Sequence, residues 1–141
     1  MEDNRPQHRV ACHCGAVRFL VRLEDAFTTV RRCSCSYCRM RGAISVSAHV
    51  TDIDFIQGQE NLALYQFHTG TARHFFCKTC GIYTHHQRRS IPDQLGINVA
   101  CITGVSPFDF SAVPVVDGVV HPSDVGGAPH IIGTLRFDRG Q

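Results

Sequence analysis

Seven of the eight cysteines in this 141-residue chain fall into groups by spacing, and grouped thiols are the residues best able to do chemistry here. Cys12-His13-Cys14 reads as an extended segment, on which residues two apart share a face, so both sulfurs can turn toward one ion. In Cys77-Lys78-Thr79-Cys80-Gly81 a tight turn brings two thiols together, with Gly81 free to take the positive φ that closes it. One Cys-x-Cys and one Cys-x-x-Cys make four thiolates, enough to saturate tetrahedral zinc and leave no position for substrate. That site is expected to be structural.

Cys33-Ser34-Cys35-Ser36-Tyr37-Cys38 packs three thiols into six residues. Three protein ligands leave a fourth zinc position open to water or a substrate atom, the mark of a catalytic site. Thiolates weaken zinc as a Lewis acid, so the expected role is to bind and deprotonate an incoming thiol. Spacing leaves open whether Cys12 and Cys14 share an ion with Cys77 and Cys80 or with the central trio. It also leaves open whether the trio is completed by Cys101 or a histidine. Counting ligands favours four and three, with Cys101, inside Ile97-Asn98-Val99-Ala100-Cys101-Ile102, as a core thiol. Of the histidines near the motifs, His74 is best placed to stand beside the open site.

These groups must be positioned by a mainly β fold. Val17, Phe19, Val21 and Leu23 alternate with Arg18, Leu20 and Arg22, and Ile44, Val46, Ala48 and Val50 alternate with Ser45, Ser47 and His49. That period of two predicts strands with one buried face. Further β-rich runs are Leu62 to Phe67, Arg73 to Phe76, Gly81 to His85, Ile97 to Cys101 and Ile131 to Phe137. Helix is expected only as short turns, after Cys35 or around Ser106 to Phe110. Pro107 to Pro129, punctuated by Pro114, Asp117-Gly118, Pro122 and Gly126-Gly127, reads as a loop-rich connection. One domain, 1–141, is expected from the length.

Composition narrows the functions. Cysteine is about 6% of the chain, below the roughly 8–10% of a disulfide scaffold. Met1 to Val10 is polar, so the expected compartment is the cytoplasm, where clustered thiols bind metal or do redox chemistry. No apolar run approaches membrane-spanning length. The net charge of +2 is spread over scattered arginines, which disfavours nucleic acid as a partner. Thirteen of the fourteen cations are arginine, Lys78 being the exception, and arginine forks suit a small carboxylate ligand. There is no His-Glu-x-x-His and no His-x-Glu, and Glu2, Glu24 and Glu60 stand away from the ligand motifs, so metal-assisted hydrolysis is disfavoured.

With these residues in view, the chain resembles the glutathione-dependent formaldehyde-activating enzyme family, which includes the centromere protein V relatives. The resemblance rests on Cys12-His13-Cys14-Gly15-Ala16-Val17, Cys33 through Arg39, Phe55 to Gly58, Leu64-Tyr65 and His74-Phe75-Phe76-Cys77-Lys78-Thr79-Cys80-Gly81. More loosely it takes in Asn98 to Ile102 and Asp117-Gly118, and it spans about residues 9–124. It implies a compact, tent-like β fold carrying two zinc ions, with Cys12, Cys14, Cys77 and Cys80 structural and Cys33, Cys35 and Cys38 catalytic. It implies carbon-sulfur lyase chemistry on a thiol-aldehyde adduct, with glutathione and formaldehyde combining into S-hydroxymethylglutathione. Arg39, Arg41, Arg73 and His74 are the candidate substrate contacts nearest the motifs, with Arg88 and Arg89 behind them. A binding module in which both zincs are structural, and a thiol-zinc redox switch, are the competing functions.

Overall fold

The structure is a computed structural model and describes residues 3–120 and 130–141. Its strands in chain order are β1 (Gln7–Ala11), β2 (Arg18–Leu23), β3 (Arg32–Cys33), β4 (Ser45–Gln57) and β5 (Leu62–Tyr65). They continue as β6 (Arg73–Cys77), β7 (Tyr83–Gln87), β8 (Gln94–Asn98), β9 (Ala112–Val116) and β10 (Ile131–Arg136). The only α-helix among the described residues, α1 (Ser36–Arg41), follows Cys35 as expected, and Pro107–Asp109 is a 3-10 turn. The chain is mainly β. No helix among the described residues is long and apolar enough to cross a membrane.

Strand β2 shows how the pattern builds the core. Phe19, Val21 and Leu23 are fully buried, while Arg18, Leu20 and Arg22 on the other face are more exposed. Each such side chain stabilises the fold by about 1.5–3 kcal/mol. Val10, Val17, Val46, Ala48, Ile97, Val99 and Ile102 complete the same cluster, with Cys12, Cys77 and Cys101 at its edge.

Seven strands form one antiparallel sheet in the order β1-β2-β4-β8-β7-β6-β5. In a flat sheet β2 and β6 would stand about 19 Å apart, four strand spacings. Yet Cys14, just before β2, and Cys77, at the end of β6, bring their sulfurs to 3.7 Å. The sheet therefore curls strongly, the bend a tent-like fold requires. A second sheet, in the order β10-β9-β3, pairs β9 antiparallel with β10 and parallel with the short β3.

Several expectations are corrected. Strand β4 buries both faces at its start: Ser45 and Ser47 are as hidden as Val46 and Ala48. The serine face is covered because the Ser47 amide donates to Thr29 Oγ1 and its hydroxyl accepts from Arg88. Pro114 lies inside β9 rather than at a turn. It is tolerated there because β3 reaches only Val115 and Val116, so β9 has no second neighbour at the proline. The run Ile97 to Cys101 leaves the sheet at Asn98, whose side chain caps a 3-10 turn over Val99–Cys101. Strand β1, polar at its start, was not signalled by any alternation. The turns expected at Pro122 and Gly126-Gly127 lie outside the described residues.

Candidate metal centres and the cavity beside them

Two turns build the closed cluster. Cys12-His13-Cys14 is not extended: the Gly15 amide donates to the Cys12 carbonyl at 3.1 Å, and this turn, not strand alternation, aims both sulfurs one way. The second turn is as expected, with the Gly81 amide on the Cys77 carbonyl at 2.8 Å and Gly81 at φ 77°. The Val17 amide N–H donates to the Cys12 sulfur, and the Thr79 amide N–H and the side-chain amide of Asn61 donate to the Cys77 sulfur.

The sulfurs of Cys12, Cys14, Cys77 and Cys80 all lie within 4.8 Å of one another, and those of Cys12–Cys14 and Cys14–Cys77 are each 3.7 Å apart. Four bonds of about 2.3 Å in a tetrahedron place sulfurs about 3.8 Å apart. The donor set and its size fit zinc.

Cys33, Cys35 and Cys38 form a second cluster within the same limit. Among the described residues, neither Cys101 nor a histidine joins it. Cys101 is buried between the Asn98 amide and the Tyr83 carbonyl, a core thiol. Cys35 is the N-cap of α1, its sulfur accepting from the Cys38 amide at 3.3 Å. Hydrogen bonds from Cys33 and Cys38 hold Cys35 well below the usual thiol range, whereas those with Cys33 and Cys35 push Cys38 well above it. The end of β9 closes over this loop through Ser34, whose amide donates to Val116 and whose hydroxyl accepts from the Gly118 amide at 3.0 Å. A Cβ on Gly118 would stand 2.3 Å from the Cys33 sulfur and 2.8 Å from the Cys35 amide nitrogen, so only glycine fits there.

Beside the trio lies a cavity of about 410 Å³. Arg41 of α1 joins the two: one nitrogen of its guanidinium donates to the Cys38 sulfur at 3.3 Å, and the other meets His74 Nδ1 at 3.1 Å. Arginine can only donate, so Nδ1 accepts and the His74 proton sits on Nε2. Burial, reinforced by Arg41, lowers the His74 pKa to about 4, so the ring is neutral near neutral pH. The guanidinium carbon lies 3.6 Å from the centre of the Tyr83 ring, and the Tyr83 hydroxyl meets His86 Nδ1 at 2.5 Å. His86 stacks on His74.

Of the residues expected near substrate, Arg41 and His74 line the cavity, and so do Arg88 and Arg89. Arg39 and Arg73 do not: both are exposed and outside its wall. Arg73 precedes His74 on β6, and neighbours on a strand face opposite ways. Sequence reasoning gave no site role to Arg31 or Tyr83; His86 stood among the histidines near the motifs and Gly118 within the family resemblance, but neither was assigned to the cavity. The signal for His86 was present, because the turn at Gly81 pairs β6 with β7 and sets His86 opposite His74.

The glutathione-dependent formaldehyde-activating enzyme family is matched over residues 7–112, three quarters of the chain, across all three cysteine motifs. The chain belongs to that family. It is also similar to the crystal structure of a Rhodobacter sphaeroides protein, with 55% sequence identity and a TM-score of 0.74, over 76% of this chain and 98% of that one. The family match stops at the first residue of β9, so the cavity wall from Val116 to Val119 lies beyond the matched residues.

Proposed function

We propose that this member of the family is a carbon-sulfur lyase-type enzyme carrying two zinc ions. It makes or breaks the bond between a thiol sulfur and an aldehyde carbon, as in S-hydroxymethylglutathione. The observation that carries the reading is the contrast between the clusters: four sulfurs close on themselves at tetrahedral spacing, whereas three open onto a cavity. Cys12, Cys14, Cys77 and Cys80 would hold a structural zinc, and Cys33, Cys35 and Cys38 a catalytic one. The bound ion would supply a fourth position at which the substrate sulfur is held as a thiolate at neutral pH.

The chain's own groups do the rest. Arg41 donates to the Cys38 sulfur and so disperses charge on the trio. It also fixes His74 with its proton on Nε2, a donor suited to the oxygen of the aldehyde or adduct. Phe67 and Tyr37 pack on the His74 ring, holding it in place and limiting water around it. The cavity holds thiol and aldehyde together, converting a bimolecular encounter into one within the site.

The test is zinc content together with turnover. The chain should carry two zinc ions and turn over thiol-aldehyde adducts, and Cys35→Ser should keep its fold and one zinc while losing turnover. Full zinc occupancy with no activity across a panel of thiols and aldehydes would leave the binding-module reading in its place.

A further inference from the structure

Every residue of β10 is exposed, so the strand is uncovered on both faces. Ile131, Ile132 and Leu135 lie bare, and so does Phe137 just beyond them, its ring 5.1 Å from that of the exposed Phe108. The sheet behind β10 is small, because β3 supplies two residues to it. Sheets of so few strands depend on what packs or pairs with them. Strand β10 and all but the first residue of β9 lie beyond the family-matched residues, so this pair of strands is an addition to the matched core.

The outer edge of β10 is free to hydrogen-bond. Phe137 turns its amide toward β9, donating to the Ser111 carbonyl at 2.9 Å. Backbone groups alternate in direction along an antiparallel strand, so those of Arg136 and Thr134 point outward. Pro114, opposite Thr134, agrees, since it has no N–H to give across that pair. Natural edges are blunted by lysine, proline, inward charge or a bulge. The bulge of β10 falls between Ile131 and Gly133, and from Gly133 to Phe137 there is neither lysine nor proline. Charge then identifies a partner. Arg136 and Asp138, two apart on an extended chain, share a face. Among the described residues, neither has an ion-pair partner, whereas Arg139 pairs with Asp109. An antiparallel copy of the same strand, centred on Phe137, sets Arg136 opposite Asp138 of the copy and Asp138 opposite its Arg136. That register also lays Phe137 against Phe137 of the copy, in the closer, non-hydrogen-bonded kind of pair.

We infer that β10 is a self-association edge, at which two copies of this chain pair antiparallel about Phe137 and join their three-stranded sheets into one of six strands. The outward backbone groups of Arg136 and Asp138 meet their counterparts, two reciprocal ion pairs fix the register, and Leu135, Phe137 and Phe108 with their mates cover one another. The contact is the same patch on both copies, so it closes at two and leaves no edge of β10 free. The inference is independent of the lyase reading.

Sedimentation velocity of the zinc-loaded full chain tests this across a range of concentrations. The edge is short, so dimer should prevail at about 100 μM and monomer at about 1 μM. Arg136→Glu and Asp138→Arg each turn two attractions into two repulsions, and each should raise the dimer Kd at least about tenfold. The double variant, Arg136→Glu with Asp138→Arg, should recover the wild-type Kd. Both side chains are exposed, so circular dichroism and zinc content should match wild type throughout. Thr134→Pro, which removes an outward N–H without touching the ladder to β9, should be monomeric. A wild type that stays monomeric at about 100 μM would overturn the pairing and leave the edge to a partner other than this chain. Growth into oligomers beyond the dimer, or single variants that dimerise as wild type does, would overturn it equally. Weakened single variants with no recovery in the double would refute the register that names the partner.

Discussion

His85 offers the cleanest test of the packing, because it is titratable, buried and far from the thiols in role. It sits on β7 among Phe19, Phe55 and Phe75, stacked on Phe75 at 4.8 Å, with its Nδ1 hydrogen-bonded to Thr84. No charged side chain is among these contacts. Burial lowers its pKa from 6.5 to about 4. The folded state therefore resists protonation of this ring, whereas the unfolded chain accepts the proton readily. Above pH 6.5 the ring is neutral in both states and imposes no penalty. As pH falls from 6.5 toward 4 the unfolded state binds the proton first, and stability drains away over that window. Between about pH 7.5 and pH 5.0 the loss comes to about 2 kcal/mol by proton linkage. His85→Phe keeps the aromatic volume and removes the proton site. In urea unfolding with excess zinc, wild type should lose about 2 kcal/mol more than the variant between those two pH values. Acid effects on the thiols and on His86 are common to both proteins and cancel in the difference. Equal acid sensitivity would refute the claim that His85 is held neutral by its aromatic cage.

Cys77→Ser should abolish binding at the closed cluster and, unlike Cys35→Ser, unfold most of the chain, because this cluster ties the turn before β2 to the hairpin of β6 and β7. Circular dichroism with zinc analysis distinguishes the two variants; a folded, one-zinc Cys77→Ser protein would contradict the structural role. Gly118→Ala should leave the fold in place at a cost of about 1–3 kcal/mol from overpacking. It should also weaken metal at the trio at least about tenfold, since the new Cβ meets both the Cys33 sulfur and the Cys35 backbone. Chelator competition reads this, and undiminished affinity at the trio would show that the end of β9 does not press on it.

The parts of the site that were legible in the sequence are those set by local geometry. Cys77 to Gly81 closes its own turn, Cys33 to Cys38 fits one loop and one helical turn, and the short helix follows Cys35 because that residue caps it. Strand β2 was legible because one face is buried and one is not. Strand β7 was harder: Tyr83, Thr84, His85 and His86 are buried on both faces, so no alternation marks which side meets the cavity. The four-and-three partition was beyond spacing, because it depends on how far a seven-stranded sheet bends. Arg39 and Arg73 were the nearer candidates by motif and Arg88 stood behind them, whereas Arg31, two residues before Cys33, was given no site role. Proximity in sequence says little about which face of a strand a side chain takes.

The bend links the two centres. Cys77 ends the strand that carries His74, and Cys80 lies in the turn leading to the strand that carries His86 and, beyond it, Arg88. Cys12 and Cys14 anchor that turn to the far side of the sheet. The four sulfurs meet because the sheet curls, and the same curl brings His74 of β6 and His86 of β7 to the cavity beside the trio. Between its two thiol groups the chain needs no long helix and no large core to shape a cavity. The hairpin of β6 and β7 carries two of the four clustered sulfurs near its turn and His74, His86 and Arg88 farther along, where they line the cavity beside the three open sulfurs.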